Sequence, residues 1–284
     1  MSAPEVLAPA LLRGWPLPAR DGTKDDRGSV LVVGGARRTP GAAALAGVTA
    51  LRIGAGRLTL AVAASVAAPL AVATPEAGVL ALPEDDDGSP TGDRAPHLDD
   101  EVERADAVLL GPGLDEPDGT TELVRTVLTA GPPGALVLDA FALGVLPRLG
   151  ADLPPGRTVL TPNVTEAARL LDVDEADPDD AAERVADRWG AVVACAGRVA
   201  HPDGRRWITA TGDTGLGTSG SGDVLAGAVA GLLAGGATPE QAACWATAVH
   251  GTAGDRLAVR RGPLGYLARE LADEVPAVLV ELRA

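Results

Sequence analysis

The segment most able to do chemistry is residues 215–227, which reads GLGTSGSGDVLAG. Glycine allows sharp turns and brings backbone N–H groups close to an oxyanion. A helix N-terminus adds partial positive charge, so Gly220, Ser221 and Gly222 are predicted to bind phosphate. Asp223 falls in the first turn of the helix, where a carboxylate can act as a base toward a substrate hydroxyl. The alternative is a plain turn in which Asp223 serves only the helix dipole.

A second candidate site is the pair Asn163 and Glu166, three residues apart after a short predicted strand. An amide and a carboxylate at this spacing can hold a hydrated Mg²⁺ near phosphates. The same spacing fits a helix cap, in which Asn163 caps and Glu166 reaches back from the third helical position. Both interpretations remain open, because different atoms of the two side chains could serve each role.

Other glycine turns follow predicted strands at Gly34-Gly35 and at residues 111–113, and Asp139 ends another strand. Such turns let a ligand approach the backbone closely. The first turn lacks the G-x-G-x-x-G spacing of a dinucleotide fingerprint. His250 is interpreted as a helix-packing residue, and the histidines and cysteines show no metal-ligand spacing.

The pattern of apolar runs predicts a single α/β domain over residues 1–284. Continuous apolar runs bounded by turn residues indicate buried parallel strands, and apolar residues at helical spacing lie between them. Residues 1–27 are Pro-rich and polar and are expected to wrap the surface, and Trp207–Thr209 is expected to form an edge strand. The predicted strands are Ser29–Val33, Leu58–Val62, Ala107–Leu110, Ala135–Leu138, Thr158–Leu160 and Ala191–Ala194.

Bulk composition narrows the classes of partner. The formal net charge of −15 disfavours binding to nucleic acid and to anionic membranes. An anionic ligand must therefore be held by local devices such as backbone amides and helix ends. Two cysteines and no recognisable signal peptide favour the reducing cytoplasm.

The chain resembles the ADP/ATP-dependent NAD(P)H-hydrate dehydratase family, which has a ribokinase-like fold. The resemblance spans roughly residues 24–257, and its pieces occur in the order of the family. The pieces are Lys24 to Gly28, Val30 to Gly35, Thr39 to Ala42, Ala50 to Gly56, Pro75-Glu76, Leu110 to Leu114, Leu138-Asp139, Leu160 to Pro162 with Glu166, Gly215 to Gly227, and His250-Gly251 with Gly254-Asp255.

The resemblance implies a three-layer ribokinase-like sandwich that dehydrates the S-epimer of hydrated NADH or NADPH. ADP or ATP would be the co-substrate, with Mg²⁺, and would turn the ring hydroxyl into a better leaving group. A homotetramer is also implied. Asp223 is implied to be catalytic. The implied substrate-binding residues are Ala42, Gly113, Asn163 and Asp223, and the implied nucleotide-binding residues are Gly197, Gly220, Ser221 and Gly222.

Three departures from the family pattern stand out. The family usually has His where this chain has Asn163, and Asn where it has Asp213. After the strand that ends at Ala194, the family usually has Lys-Gly, whereas this chain has a shorter stretch from Cys195 to Arg198. The change to Asn163 creates the Asn-x-x-Glu pattern of ribokinase-like sugar and vitamin kinases.

Two other functions therefore compete with the dehydratase. One is a small-molecule kinase of the same fold, with Asp223 as base and Asn163 and Glu166 serving Mg²⁺. The other is a catalytically silent nucleotide-binding protein, suggested by the missing Lys-Gly and His. The family-like pieces at residues 34–42 and 111–114 favour the dehydratase, and the complete turn at Gly220–Asp223 disfavours a silent protein.

Overall fold

The computed structural model describes residues 3–19, 22–93, 95, 97–131, 134–150, 152–212 and 214–284. In these residues the chain builds one ten-stranded sheet and eleven α-helices. The strands are β1 Glu5–Val6, β2 Ser29–Val33, β3 Arg57–Ala63, β4 Gly78–Leu82, β5 Ala107–Leu110, β6 Ala135–Leu138, β7 Thr158–Leu160, β8 Val192–Cys195, β9 Arg198–Ala200 and β10 Arg206–Ile208.

The helices cover both faces of this sheet and supply most of its connections. They are α1 Pro9–Gly14, α2 Pro40–Arg52, α3 Ala64–Ala73, α4 Leu98–Arg104, α5 Pro117–Ala130, α6 Phe141–Leu149, α7 Val164–Leu171, α8 Ala181–Trp189, α9 Ser221–Ala234, α10 Pro239–Arg261 and α11 Ala268–Arg283. A short 3-10 helix, Thr214–Gly217, precedes α9. None of the helices in the described residues combines the length and apolar character that a bilayer crossing requires.

The sheet order is β1-β10-β9-β8-β7-β6-β5-β2-β3-β4. All neighbouring strands pair in parallel except at β8–β9 and β9–β10. The predicted bounds of β2, β5, β6 and β7 are confirmed. Apart from Ser29 and Thr158, these strands are apolar, because both of their faces are buried, as parallel sheets require.

Alternate side chains of each strand enter two separate cores. In β2, Val30 and Val32 pack with α1, α2, α3, α9, α10 and α11 on one face, and Leu31 and Val33 pack with α4 to α8 on the other. This is the three-layer arrangement with helices on both faces that the sequence predicts.

The N-terminal segment differs from expectation. Leu7, Leu12 and Leu17 are buried, so this segment is part of the core rather than a surface wrap. β1 pairs in parallel with β10 and takes the edge position, so the prediction of an edge strand at Trp207 is wrong. The Trp15 ring stacks on Trp207 with 5.9 Å between centroids, which fixes the segment beside the sheet.

Strand order reverses between β2 and β5, because the chain moves outward through β3 and β4 on one side and through β6 to β8 on the other. Such a switch point opens a crevice beyond the carboxyl ends of the strands, and ligands bind there in open α/β sheets. The glycine turns that follow β2 and β5 meet at this point: the Gly35 N–H donates to the Pro112 carbonyl at 2.8 Å, and the Ala36 N–H to that of Gly113. The fold therefore places a ligand crevice where the sequence places glycines.

α9 is held against α2 by glycine contacts that bring the two backbones together. A Cβ at Gly227 would lie 2.1 Å from the Ala46 carbonyl oxygen, and one at Gly231 would lie 2.6 Å from that of Ala50. Any side chain at these positions would push the helices apart and displace the N-terminus of α9.

We predict that Gly227→Ala lowers the free energy of unfolding by about 1–3 kcal/mol, because overpacking outweighs the better helix propensity of alanine. The matched control is Gly144→Ala in α6, where no atom lies within 4 Å of the added Cβ. That variant should gain up to about 1 kcal/mol. Urea unfolding of both variants tests this, and equal effects would contradict the proposed close approach of α2 and α9.

Candidate active site

The N-terminus of α9 is open to a ligand. Gly220 is its N-cap, with a left-handed φ of 89°, and no side chain caps the first turn. Gly222 is exposed, and a Cβ there would meet no atom within 4 Å. Uncapped first-turn N–H groups facing open space form an anion site. The predicted phosphate-binding residues Gly220, Ser221 and Gly222 thus lie together on one accessible helix end.

His250 in α10 contacts Ser221 and holds this turn in place. Its Nε2 lies 2.9 Å from the Ser221 hydroxyl oxygen and 3.0 Å from the Ser221 carbonyl oxygen. Burial lowers the pKa of His250 to about 4, so the ring is neutral near neutral pH. His250 is therefore not a free catalyst but a side chain that fixes Ser221, which refines its predicted packing role.

A cavity of about 420 Å³ opens beside the α9 N-terminus. Its floor is formed by the carboxyl ends of β7, β8 and β10, and its far wall by α10. The lining residues are Thr161, Pro162, Asn163, Ala194, Cys195, Ala196, Gly197, Thr209, Thr211, Gly212, Leu216, Ser221, Gly222, Leu225, Thr247, His250 and Gly251. This volume suits a nucleotide-sized ligand.

The stretch that departs from the family pattern is a tight hairpin between β8 and β9. Ala196 and Gly197 form the turn, with φ values of 49° and 77°. Two positive φ values fit the two-residue turns that match strand twist. Gly197 lines the cavity, whereas Arg198 pairs with Asp179 at 2.6 Å.

Asp223 lies in the first turn of α9, as predicted. One of its carboxylate oxygens would lie 3.7 Å from a Cβ built at Gly220, so the carboxyl group is beside the open turn. Burial, and secondarily the negative charge of Glu166, raises the pKa of Asp223 to about 6. A group with this pKa is ionised at neutral pH yet basic enough to take a proton.

Asp139 is a second carboxyl group at the same edge of the sheet, and it is only 4% exposed. Its Oδ1 accepts a hydrogen bond from the Thr161 hydroxyl at 2.7 Å. Burial raises the pKa of Asp139 to about 8 against the effect of that hydrogen bond, and the charges of Glu166 and Asp223 raise it further. Asp139 is therefore protonated at neutral pH.

Asn163 and Glu166 form a reciprocal capping box at the start of α7. The Glu166 N–H donates to Asn163 Oδ1 at 2.9 Å, and the Asn163 N–H donates to Glu166 Oε2 at 2.9 Å. The capping interpretation is thus confirmed. The described residues contain no cluster of three or more His, Cys, Asp or Glu side chains able to hold a metal ion alone.

Ala42 and Gly113 meet at the switch point. A Cβ on Gly113 would lie 3.1 Å from the Ala42 Cβ, and the Thr39 hydroxyl donates to the Gly113 carbonyl at 2.8 Å. Leu45, one turn further along α2, lies 2.9 Å from a Cβ built at Gly220. α2 therefore joins the switch-point crevice to the phosphate turn.

Sequence reasoning missed the Asp139–Thr161 pair and the lining residue Thr247. The signal for Asp139 was its place at a strand end, but its partner depends on the neighbouring strand. Asp213 lies outside the described residues, so its departure from the family pattern has no structural counterpart here.

The fold and the site define the chain as a ribokinase-like α/β protein. A ribokinase-like superfamily protein from Enterococcus faecalis superposes with a TM-score of 0.84 at 25% identity, covering 98% of this chain and 96% of that one. The chain belongs to the NAD(P)H-hydrate dehydratase family, whose model matches residues 30–277.

Individual relatives agree with this assignment. An ADP-dependent (S)-NAD(P)H-hydrate dehydratase from Xanthomonas campestris is 47% identical, with 99% of each chain covered. The Bacillus subtilis ADP/ATP-dependent NAD(P)H-hydrate dehydratase, co-crystallised with ATP and Mg²⁺, has a TM-score of 0.83 at 28% identity over 99% of both chains. A bifunctional NAD(P)H-hydrate repair enzyme from Moorella thermoacetica is 39% identical over 94% of this chain, which spans 52% of that relative.

We predict that Asp139 makes stability fall as pH rises. Its folded-state pKa lies above the unfolded value, so the stability it contributes is complete below about pH 4 and is lost as pH rises through about 8. Between pH 7 and 8 the free energy of unfolding should drop by about 1 kcal/mol. Asp139→Asn should remove this slope in urea unfolding at both pH values. An equal slope in the variant would show that Asp139 is already ionised.

Proposed function

We propose that this chain catalyses the ADP-dependent dehydration of the S-epimer of hydrated NADH or NADPH. The observation that carries the proposal is the open α9 N-terminus with the ionised Asp223 beside it, in a chain 47% identical along its whole length to an ADP-dependent dehydratase. The anion site suits the phosphates of the nucleotide. Asp223 supplies the base.

The reaction then proceeds in two stages. Asp223 takes the proton of the ring hydroxyl, whose oxygen bonds to the terminal phosphorus of ADP as the bond from phosphorus to the bridging oxygen breaks and AMP leaves. The ring C–O bond then breaks, inorganic phosphate departs with the electron pair, and a proton lost from the adjacent ring carbon restores the double bond. The N–H group of Gly222, at the open N-terminus of α9, stabilises the charge that develops on the transferred phosphoryl group.

The substrate would lie in the switch-point crevice. Ala42 and Gly113 meet there, and α2 connects them to the turn at Gly220. Asn163 is exposed and lines the cavity on the opposite side of the α9 N-terminus. The hydrated ring would therefore sit between α2 and Asn163, with its hydroxyl toward Asp223.

Mg²⁺ fits this site as an ion held mainly by water and phosphate. The capping box occupies one lone pair on each of Asn163 Oδ1 and Glu166 Oε2, and further lone pairs remain on both side chains for metal-bound water. Mg²⁺ usually keeps several waters and uses few carboxylates beside substrate phosphates. When bound, it would neutralise phosphate charge.

The kinase alternative rested on the Asn-x-x-Glu spacing, and the capping box accounts for that spacing without a kinase. The homotetramer implied by the family resemblance and the cytoplasmic location favoured by the cysteine content remain predictions. Gel filtration with light scattering tests the first, and cell fractionation the second.

We predict that Asp223→Ala and Asp223→Asn lower recovery of NAD(P)H absorbance from the hydrate by about 10²–10⁴-fold, the typical contribution of a general base. Stability should fall by at most about 0.3–1 kcal/mol, the value of one helix-dipole interaction. In the wild-type enzyme, kcat/KM should fall as pH drops below about 6, where Asp223 is protonated.

The matched control is Asp118→Asn, which changes an acid in the first turn of α5, away from the cavity. Its activity should equal that of the wild type. Retention of more than about a tenth of activity by either Asp223 variant would make Asp223 structural and overturn the mechanism.

We predict that Glu166→Gln raises the Mg²⁺ concentration for half-maximal activity about 10- to 100-fold, as loss of an outer-shell ligand usually does. Glutamine keeps the capping box, so the melting temperature should change little. Removing the neighbouring charge should also move the acid limb of the activity profile to lower pH, since Glu166 raises the pKa of Asp223.

Glu270→Gln is the control, because Glu270 accepts from the Leu267 N–H at the start of α11 in the same way, at 2.8 Å. Titrations of activity with Mg²⁺ should leave this control unchanged. An unchanged Mg²⁺ requirement in Glu166→Gln would restrict Glu166 to capping.

A further inference from the structure

Thr247 of α10 lines the cavity, and no part of the mechanism uses it. The residue is 5% exposed, and its hydroxyl oxygen has no hydrogen-bond partner within the described residues. It lines the same cavity as Ser221 and Gly222 of the phosphate turn. A buried hydroxyl group in a cavity wall without a partner needs an explanation.

Two other buried helical threonines satisfy their hydroxyl groups locally. Thr49 of α2 donates to the Leu45 carbonyl at 2.8 Å, and Thr121 of α5 donates to the Pro117 carbonyl at 2.7 Å. Both use the carbonyl four residues earlier, the usual partner of a helical threonine. Thr247 does not use this bond, so its hydroxyl group is free for a group inside the cavity.

The position of Thr247 indicates which part of a nucleotide it would meet. Thr247 precedes His250 by three residues, so both lie on one face of α10, about 4.5 Å apart along the helix axis. His250 contacts Ser221 at the phosphate turn. Thr247 therefore lies about one helical turn along α10 from the residue that contacts the phosphate turn, a distance at which we expect the nucleoside of a bound nucleotide.

The remaining polar side chains of this wall do not need a ligand in the same way. The hydroxyl oxygens of Thr209 and Thr211 lie 2.7 Å apart, so one of these groups donates to the other and each has a partner. Thr161 is engaged with Asp139. Among the cavity-lining threonines in the described residues, Thr247 is the one whose hydroxyl oxygen lacks a partner.

We propose that the Thr247 hydroxyl group hydrogen-bonds to the adenosine half of ADP and so contributes to selection of the nucleotide. This inference rests on the proposed function for ADP as co-substrate. A polar atom of the base or a ribose hydroxyl group offers the same hydrogen-bond chemistry. In the free protein the hydroxyl group contributes no bond, whereas in the complex it completes one.

The test is calorimetric titration of the full chain with ADP. Thr247→Val has nearly the same shape without the hydroxyl group and should weaken ADP binding about 5- to 30-fold, the value of one lost hydrogen bond at a buried polar contact. Thr247→Ser should bind ADP nearly as well as the wild type. Inorganic diphosphate, which lacks the nucleoside, should bind equally to all three proteins.

Stability of the free protein separates this role from a structural one. Because the Thr247 hydroxyl group has no partner, Thr247→Val should melt at or above the wild-type temperature without ADP. Thr121→Val, which breaks a local hydrogen bond far from the cavity, should melt lower while binding ADP normally. A lower melting temperature of free Thr247→Val would mean that the hydroxyl group already has a partner, and would overturn the proposal.

The outcomes also separate this inference from the proposed function. If the wild type binds ADP and Thr247→Val binds it equally well, the inference fails and the proposed function stands. If the wild type binds no ADP, both fail. Titration with 2′-deoxy-ADP identifies the partner: an equal Thr247→Val effect with this nucleotide assigns the bond elsewhere on the adenosine, and loss of the effect assigns it to the ribose 2′-hydroxyl.

Discussion

The candidate active site must bind an anionic phosphate with backbone dipoles, although the groups around it are negatively charged. The chain carries a net charge of −15. The charge of Glu166 raises the pKa of both Asp139 and Asp223, and the charge of Asp223 raises that of Asp139 further. No arginine or lysine lines the cavity beside α9 in the described residues. A phosphate there must rely on the uncapped N–H groups of α9 and on a bound cation. The protonated state of Asp139 removes one negative charge from this group, which makes the anion site compatible with its surroundings.

The ability of the α9 N-terminus to bind phosphate depends on how rigidly its neighbours hold it in place. The glycine contacts with α2 set its distance from the switch-point crevice, and neutral His250 holds Ser221 from the other side. A charged histidine would bind phosphate more strongly, but its burial excludes the charge. His250 therefore positions Ser221, and the N-terminus of α9 supplies the electrostatic attraction for phosphate. Because donors fixed in advance need no reorganisation during reaction, this rigidity serves the phosphoryl transfer directly.

The sequence predicted β2, β3 and β5 to β8, a helix start near Gly222 and the carboxylate beside it, because these features are local. A buried parallel strand is recognised as a continuous apolar run. A glycine-rich turn before an apolar helix indicates a backbone that turns sharply and lets a ligand come close. The pairing of Asp139 with Thr161 could not be predicted, since it requires knowing that β6 and β7 are neighbours. The burial of Leu7, Leu12 and Leu17 was missed because prolines interrupt any regular spacing. The spacing of Asn163 and Glu166 fitted both a metal site and a helix cap. Only the hydrogen bonds between the two residues identified the capping box.

Asn163, which stands where the family usually has histidine, affects the hydrogen bonds at the start of α7. Asparagine is among the best N-cap residues, because its side-chain oxygen accepts from the N–H group of Glu166. The cap holds Glu166 with one oxygen on the backbone, and Glu166 in turn raises the pKa of Asp223. Asn163 therefore acts on the base through Glu166 as well as lining the cavity. A histidine at this position would keep the backbone bond to the Glu166 carboxylate, but it would cap the Glu166 N–H group less well than asparagine does. The strength of the base in this chain thus depends on a helix cap formed where the chain passes from β7 into α7.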